Sequence, residues 1–87
     1  MNNQKITAGD TFAVQSGVYA GEMLIFIKCI LSNFHFLSIP TMQNRIITLK
    51  SFDFARNNDI IEYVEQLPED IVAISIKQYT ENEKSNN

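Results

Sequence analysis

The side chains most able to do chemistry are few and far apart in the sequence. There is one histidine, His35, and one cysteine, Cys29, and each lies in an apolar segment. A metal site needs three or four converging ligands, and a reactive thiol needs a nearby cation or a helix N-terminus. Neither condition is met here, so we expect a half-buried His35 and a buried, unreactive Cys29. We therefore predict no catalytic residues, no metal ion and no cofactor.

Acidic side chains are concentrated in the second half of the chain. Residues 51–87 carry eight of the ten acidic residues, and the formal net charge is −3 at pH 7. Proteins that bind nucleic-acid phosphates usually have clustered Lys and Arg, and this sequence has no such cluster. Four acids have the spacing of one helical face: Asp59, Glu62, Glu65 and Glu69. They form either a solvated helix surface or an acidic face that mimics nucleic acid.

The first 50 residues have the patterns of β-strands. The segment 11–15 alternates apolar and polar residues, and apolar strand candidates follow at 22–31, 34–39 and 45–49. Pro40 ends the third of these strands, because proline has no N–H group for the ladder. Four strands are therefore predicted before residue 50.

The hydrophobic period changes after residue 57. Ile60, Ile61, Val64 and Leu67 recur at helical spacing, and Pro68 follows them. Asp59 and Glu62 have the spacing of a capping box, so we predict a helix over 59–67. Residues 71–76 alternate again, which predicts a closing strand.

A glycine-rich turn joins the first two strands. Gly9-Asp10 opens the segment, and Gly17 and Gly21 flank the turn that carries Tyr19. A turn with two glycines predicts a positive φ at Gly17 or Gly21. From Gly9 to Ile27 this pattern resembles the KOW motif of transcription-elongation factors and certain ribosomal proteins.

The resemblance implies a small SH3-like β-barrel that contacts nucleic acid or a protein of transcription or translation. It also implies that Gly9, Gly17 and Gly21 shape the turns. Tyr19 either is an exposed aromatic residue that stacks on a base or a partner, or folds back to cap the barrel.

These patterns together predict one mostly β (α+β) domain. We expect a small SH3-like, five-stranded antiparallel barrel or bent sheet, with one helix at about 59–67 before the last strand. The alternative is an α+β sandwich whose helix lies across an open sheet. A flexible lead-in at 1–8, the domain at 9–79 and a disordered tail at 80–87 complete the chain. No apolar run reaches the roughly 20 residues of a membrane span and no signal peptide is recognisable, so a cytoplasmic protein is predicted.

Both faces of the second and third strands are apolar, although a single helix of about nine residues is only about 13 Å long. We expect the uncovered residues Phe26, Phe34 and Phe36, with Tyr19, to bind a protein partner or a second copy. The predicted function is a non-catalytic protein–protein interaction module. The Ile- and Asn-rich composition favours an accessory or regulatory protein of a phage or mobile element. A KOW-like nucleic-acid-binding module and an acidic inhibitor of a host enzyme are the alternatives.

Overall fold

A computed structural model describes residues 5–85. Its elements are, in chain order, β1 (Asp10–Val14), β2 (Met23–Ile30), β3 (Asn33–Ile39), β4 (Asn44–Thr48), α1 (Leu49–Asn57), β5 (Ile61–Gln66) and α2 (Glu69–Ser85). The strands form one antiparallel sheet in the order β4-β3-β2-β1-β5. The predicted α+β class and five-stranded antiparallel sheet are confirmed. Within the described residues β4 and β5 are free edges, so the sheet does not close.

The two helices cover opposite faces of the sheet. On one face, Phe52 and Ala55 of α1 join a core of strand residues: Phe12, Val14, Leu24, Phe26, Phe36 and Ile61. On the other face, Tyr79 of α2 packs against Ile25, Ile27 and Leu37. This arrangement explains why β2 and β3 are apolar on both sides. Neither described helix is long and apolar enough to cross a membrane.

The helix expected at 59–67 is wrong, because Ile61–Gln66 is the edge strand β5. Asp59 has a φ of 58°, which differs from the extended conformation of an N-cap. Val64, expected in the buried stripe, is exposed at a register shift in the pairing of β5 with β1. Pairing with β1 satisfies the backbone groups that face β1 and buries Ile61 in the core, and these tertiary contacts override the helical spacing of the side chains.

The helix that precedes β5 begins at Leu49 rather than at residue 59. Thr48 caps it, since its hydroxyl accepts a hydrogen bond of 3.2 Å from the backbone N–H of Ser51. A helix does lie between the fourth and fifth strands, but the expected order of four strands, one helix and a closing strand is wrong, because a second helix, α2, follows β5. The side chains of Phe52 and Ala55, three positions apart, face the sheet.

The strand expected at 71–76 and the tail expected at 80–87 are also wrong, because α2 continues to Ser85. Glu69 and Asp70 lie in its first turn, where carboxylates interact favourably with the helix dipole. Ser75 and Tyr79 are buried at a spacing of four residues. Residues 86–87 lie outside the described residues.

Part of the expected lead-in is attached to the domain. Ile6 packs against the core, and the backbone N–H of Thr7 donates to the Asp10 carboxylate at 2.9 Å. Residues 1–4 lie outside the described residues. The positive φ expected at Gly17 or Gly21 is confirmed, since the angles are 95° and 92°.

Candidate functional site

The aromatic residues expected to form a partner surface lie mostly inside the domain. Phe26 and Phe36 are buried, and Phe34 is half-buried with its ring centroid 5.0 Å from that of Phe52. The expected patch is therefore wrong for this trio, because α1 covers the face on which they lie. Cys29, expected to be buried, is exposed, one residue before the end of β2.

Tyr19 is partly covered by a cation. The Arg45 guanidinium lies over its ring, with 4.2 Å between Cζ and the ring centroid, and 39% of Tyr19 stays exposed. Arg45 also donates two hydrogen bonds to the Glu22 carboxylate, at 3.0 and 3.2 Å. These bonds, and a further one from Ser38, hold the pKa of Glu22 below its usual range against the opposing effect of burial. The one charged side chain of β4 is thus already paired.

The acids expected on one helix face are distributed along β5 and its flanks. Asp59 lies in the preceding turn, Glu62 and Glu65 on the strand, and Glu69 in the first turn of α2. All four are exposed. Glu62 accepts a hydrogen bond of 3.0 Å from the Gln15 amide. The helical acidic face is therefore wrong, and the carboxylates instead mark one edge of the sheet.

A polar cluster joins α2 to the sheet. His35 Nδ1 and the Tyr79 hydroxyl are hydrogen-bonded, and Lys28 pairs with Glu83 at 3.3 Å. Burial lowers the pKa of His35, with a smaller contribution from Lys28, and burial raises the pKa of Tyr79 to about 12. The imidazole of His35 and the hydroxyl of Tyr79 thus share one hydrogen bond, whose direction depends on the tautomer of His35.

This cluster predicts a pH-dependent stability. Since folding lowers the pKa of His35 below its ordinary value of 6.5, the unfolded chain binds more protons below that pH. The free energy of unfolding should be highest above pH 6.5 and fall as the pH drops towards the lowered pKa. Urea denaturation between about pH 7.5 and pH 5.5 would measure the slope. In His35→Gln the pH dependence of the free energy of unfolding over this range should largely disappear. An unchanged pH dependence would show that His35 is not its cause.

A shallow cleft lies between the N-terminal segment and α1. Its volume is about 430 Å³, and its lining includes Lys5, Ile6, Asp10, Arg56 and Tyr63. Arg56 packs over the Phe12 ring, with 5.4 Å between Cζ and the ring centroid, and the Asp10 carboxylate accepts a hydrogen bond from the Thr7 N–H group. The cleft thus contains charges of both signs, and two of its charged residues, Arg56 and Asp10, already contact other parts of the domain.

The free edge of β4 is the clearest candidate for a binding surface. Ser38 N–H donates to the Gln43 carbonyl, and Leu49 N–H to the Ser32 carbonyl, both at 2.8 Å. Because hydrogen-bonded positions alternate in an antiparallel pair, the odd-numbered residues of β4 face β3. The backbone N–H and C=O groups of Asn44 and Ile46 therefore point outwards, as does the N–H group of Thr48. The C=O group of Thr48, the N-cap residue, accepts the first hydrogen bond of α1.

Apolar side chains accompany this edge. Ile46 is 59% exposed, and Leu31, at the β2–β3 turn, is 90% exposed. Ile30 and Leu49 are also exposed, and the bond between Leu49 and Ser32 brings α1 to that turn. We call Asn44, Ile46 and Thr48, together with Leu49, the β4 edge surface. Sequence reasoning missed it, although an Ile46-Ile47 pair in a strand is a signal of apolar residues on both faces.

Comparisons of the chain with protein-family models, with curated proteins and with solved structures found no match.

Proposed function

We propose that this chain is a non-catalytic protein–protein interaction module that binds its partner through the β4 edge surface. The observation that carries the proposal is an open strand edge with an exposed isoleucine, Ile46, at its centre. Unpaired N–H and C=O groups on such an edge can pair with another extended chain, and the flanking side chains supply specificity.

The contrast between the two sheet edges supports this choice. Proteins use charged side chains and β-bulges to protect free strand edges against pairing with other chains. β5 has both, with Glu62 and Glu65 exposed and a register shift opposite Thr11 and Phe12. β4 pairs with β3 in continuous register, and its only charge, on Arg45, is held by Glu22. The β4 edge is thus left available for pairing.

We also propose that the domain belongs to the SH3-like class that the KOW resemblance implies. Gly9, Gly17 and Gly21 have φ angles of 98°, 95° and 92°, as the turns of that pattern require. A helix precedes the fifth strand, as in the expected order for the barrel, although it spans Leu49–Asn57 rather than 59–67. The nucleic-acid role has less support, because Lys28 and Arg45 are paired with Glu83 and Glu22.

Site-specific photocrosslinking tests the proposed function. A benzophenone amino acid would replace Ile46 in one sample and Ile74, on α2, in the other. Ile74 is the matched control, because it is 62% exposed against 59% for Ile46. In an extract of cells that produce the protein, we expect polypeptide adducts from position 46 and far fewer from position 74.

Equal adducts at the two positions, or none at either, would contradict binding through β4. Adducts to RNA or DNA would instead favour the KOW-like alternative.

A further inference from the structure

We propose that the β4 edge binds the β4 edge of a second copy of this chain, antiparallel and about a two-fold axis at Ile46. This inference rests on the proposed function and names its partner. It would join the two sheets into one continuous ten-stranded sheet. Such an isologous contact uses the same surface on both copies and closes the assembly at a dimer.

The backbone of β4 fits this register. Its outward-pointing residues are Asn44, Ile46 and Thr48, which lie symmetrically about Ile46. Antiparallel pairing places Ile46 opposite Ile46 of the second copy, and Asn44 opposite the second copy's Thr48. The two Ile46 residues exchange two N–H···O bonds, and the Thr48 N–H of each copy donates to the Asn44 carbonyl of the other. Four backbone hydrogen bonds would therefore join the two strands.

The side chains also fit. In this register the exposed Ile46 side chain meets its symmetry mate, and each buries apolar surface of the other. Arg45 lies opposite Ile47 of the second copy, so no like charges face each other. The Arg45 guanidinium keeps its salt bridge to the Glu22 carboxylate, at 3.0 Å. Nothing in the charge pattern of β4 therefore opposes self-pairing.

The other edge of the sheet does not allow the same contact. In an antiparallel pairing of two β5 strands, Glu62 would lie opposite Glu65 of the second copy, and like charges across a pair are destabilising. Pairing of β4 with β5 of another copy would be head-to-tail and would not end at a dimer, because it leaves one β4 edge and one β5 edge free. The charges therefore oppose the β5–β5 contact, and of the other two contacts only the β4–β4 contact closes at a dimer.

Sedimentation equilibrium of the full chain, from about 10 μM to about 1 mM, tests the dimer over the range of weak association. We expect a monomer–dimer equilibrium for the natural sequence. Ile46→Lys should raise the dissociation constant at least about tenfold, because it places two cations at the two-fold axis. Ile74→Lys, the control with similar exposure, should dimerise like the natural sequence. Circular dichroism would show that both variants keep the fold.

A second pair of variants isolates the backbone hydrogen bonds. Thr48 has a φ of −67°, which proline adopts without strain. Thr48→Pro and Thr48→Ala both remove the capping hydroxyl, but only proline removes the outward N–H group. Thr48→Ala is therefore the reference for the loss of the side chain, and we expect Thr48→Pro to dimerise at least about tenfold more weakly than Thr48→Ala. Equal dissociation constants for the two variants would contradict the backbone pairing.

A natural sequence that stays monomeric throughout, or an equal loss in Ile46→Lys and Ile74→Lys, would overturn the β4–β4 dimer. If the protein is monomeric but position 46 still gives adducts with another protein, a second copy is excluded as the partner and the proposed function stands. If neither dimer nor adducts are found, both fail.

Discussion

Replacing Gly9 with alanine should destabilise the domain by about 3 kcal/mol, from a left-handed backbone that costs about 1–2 kcal/mol and from overpacking that costs about 1–3 kcal/mol. Gly9 has a φ of 98° at the start of β1. A Cβ there would collide with the Val72 side chain and lie 2.6 Å from Gln66 Nε2. The backbone cannot easily move away, because Gly9 is hydrogen-bonded to the carbonyl of Phe26 and to the N–H of Leu67.

Gly17→Ala is the matched control for this prediction. Gly17 has a φ of 95°, but no atom lies within 4 Å of the position of its missing Cβ. We expect it to cost about 1–2 kcal/mol, the backbone contribution alone. Urea denaturation of both variants gives the difference, and Val72→Ala in the Gly9→Ala background should recover part of it. Equal losses for the two alanine variants would show that α2 does not pack closely against Gly9.

Phe52→Ala should cost about 3–5 kcal/mol, the range for removing a fully buried aromatic ring. Phe52 projects from α1 into the core, with its ring centroid 5.2 Å from that of Phe12 and 5.0 Å from that of Phe34. The sheet cannot close over the resulting cavity, since three rings from two strands, Phe12 of β1 and Phe34 and Phe36 of β3, line it.

Phe54, on the same helix, provides the control because it is 62% exposed. Phe54→Ala should change the free energy of unfolding by no more than about 0.5 kcal/mol. Thermal or urea denaturation of the two variants would show the contrast. Similar values for both would mean that α1 does not lie on the sheet through Phe52.

The sequence predicted the N-terminal half of the fold better than the rest. Local signals decide this half: the alternation in β1, the glycines at 17 and 21, and the short turn between β2 and β3. Leu31 and Ser32 form that turn with φ angles of 50° and 65°, the left-handed pair that suits a two-residue hairpin. Such patterns act over a few residues, so the sequence displays them directly.

The secondary structure of the second half could not be predicted from local sequence patterns, because tertiary contacts determine it. The segment Ile61–Gln66 has a helical spacing of apolar residues, yet it forms a strand because β1 offers an unpaired edge. The β-branched residues Val72, Ile74 and Ile76 favour a strand locally, yet α2 forms because Ser75 and Tyr79 face the sheet. The choice between these states lies in partners far along the chain.

The candidate site was missed for a related reason. The sequence identified the apolar excess of β2 and β3, but a second helix covers it. Exposure of Ile46 depends on β4 being an edge strand, and edge position follows from the order of strands rather than from any local pattern. Only the topology shows which of the apolar strands keeps a free side.

Amide hydrogen exchange at Ile46 tests the β4–β4 contact most directly, with Tyr63 as an internal control. The bond from Gln15 N–H to the Ile60 carbonyl and the register of β5 place the Tyr63 N–H group on the outer side of its edge, as Ile46 is on β4. As the protein concentration rises, exchange at Ile46 should slow while exchange at Tyr63 stays the same. Equally fast exchange at both residues at every concentration would contradict pairing at β4.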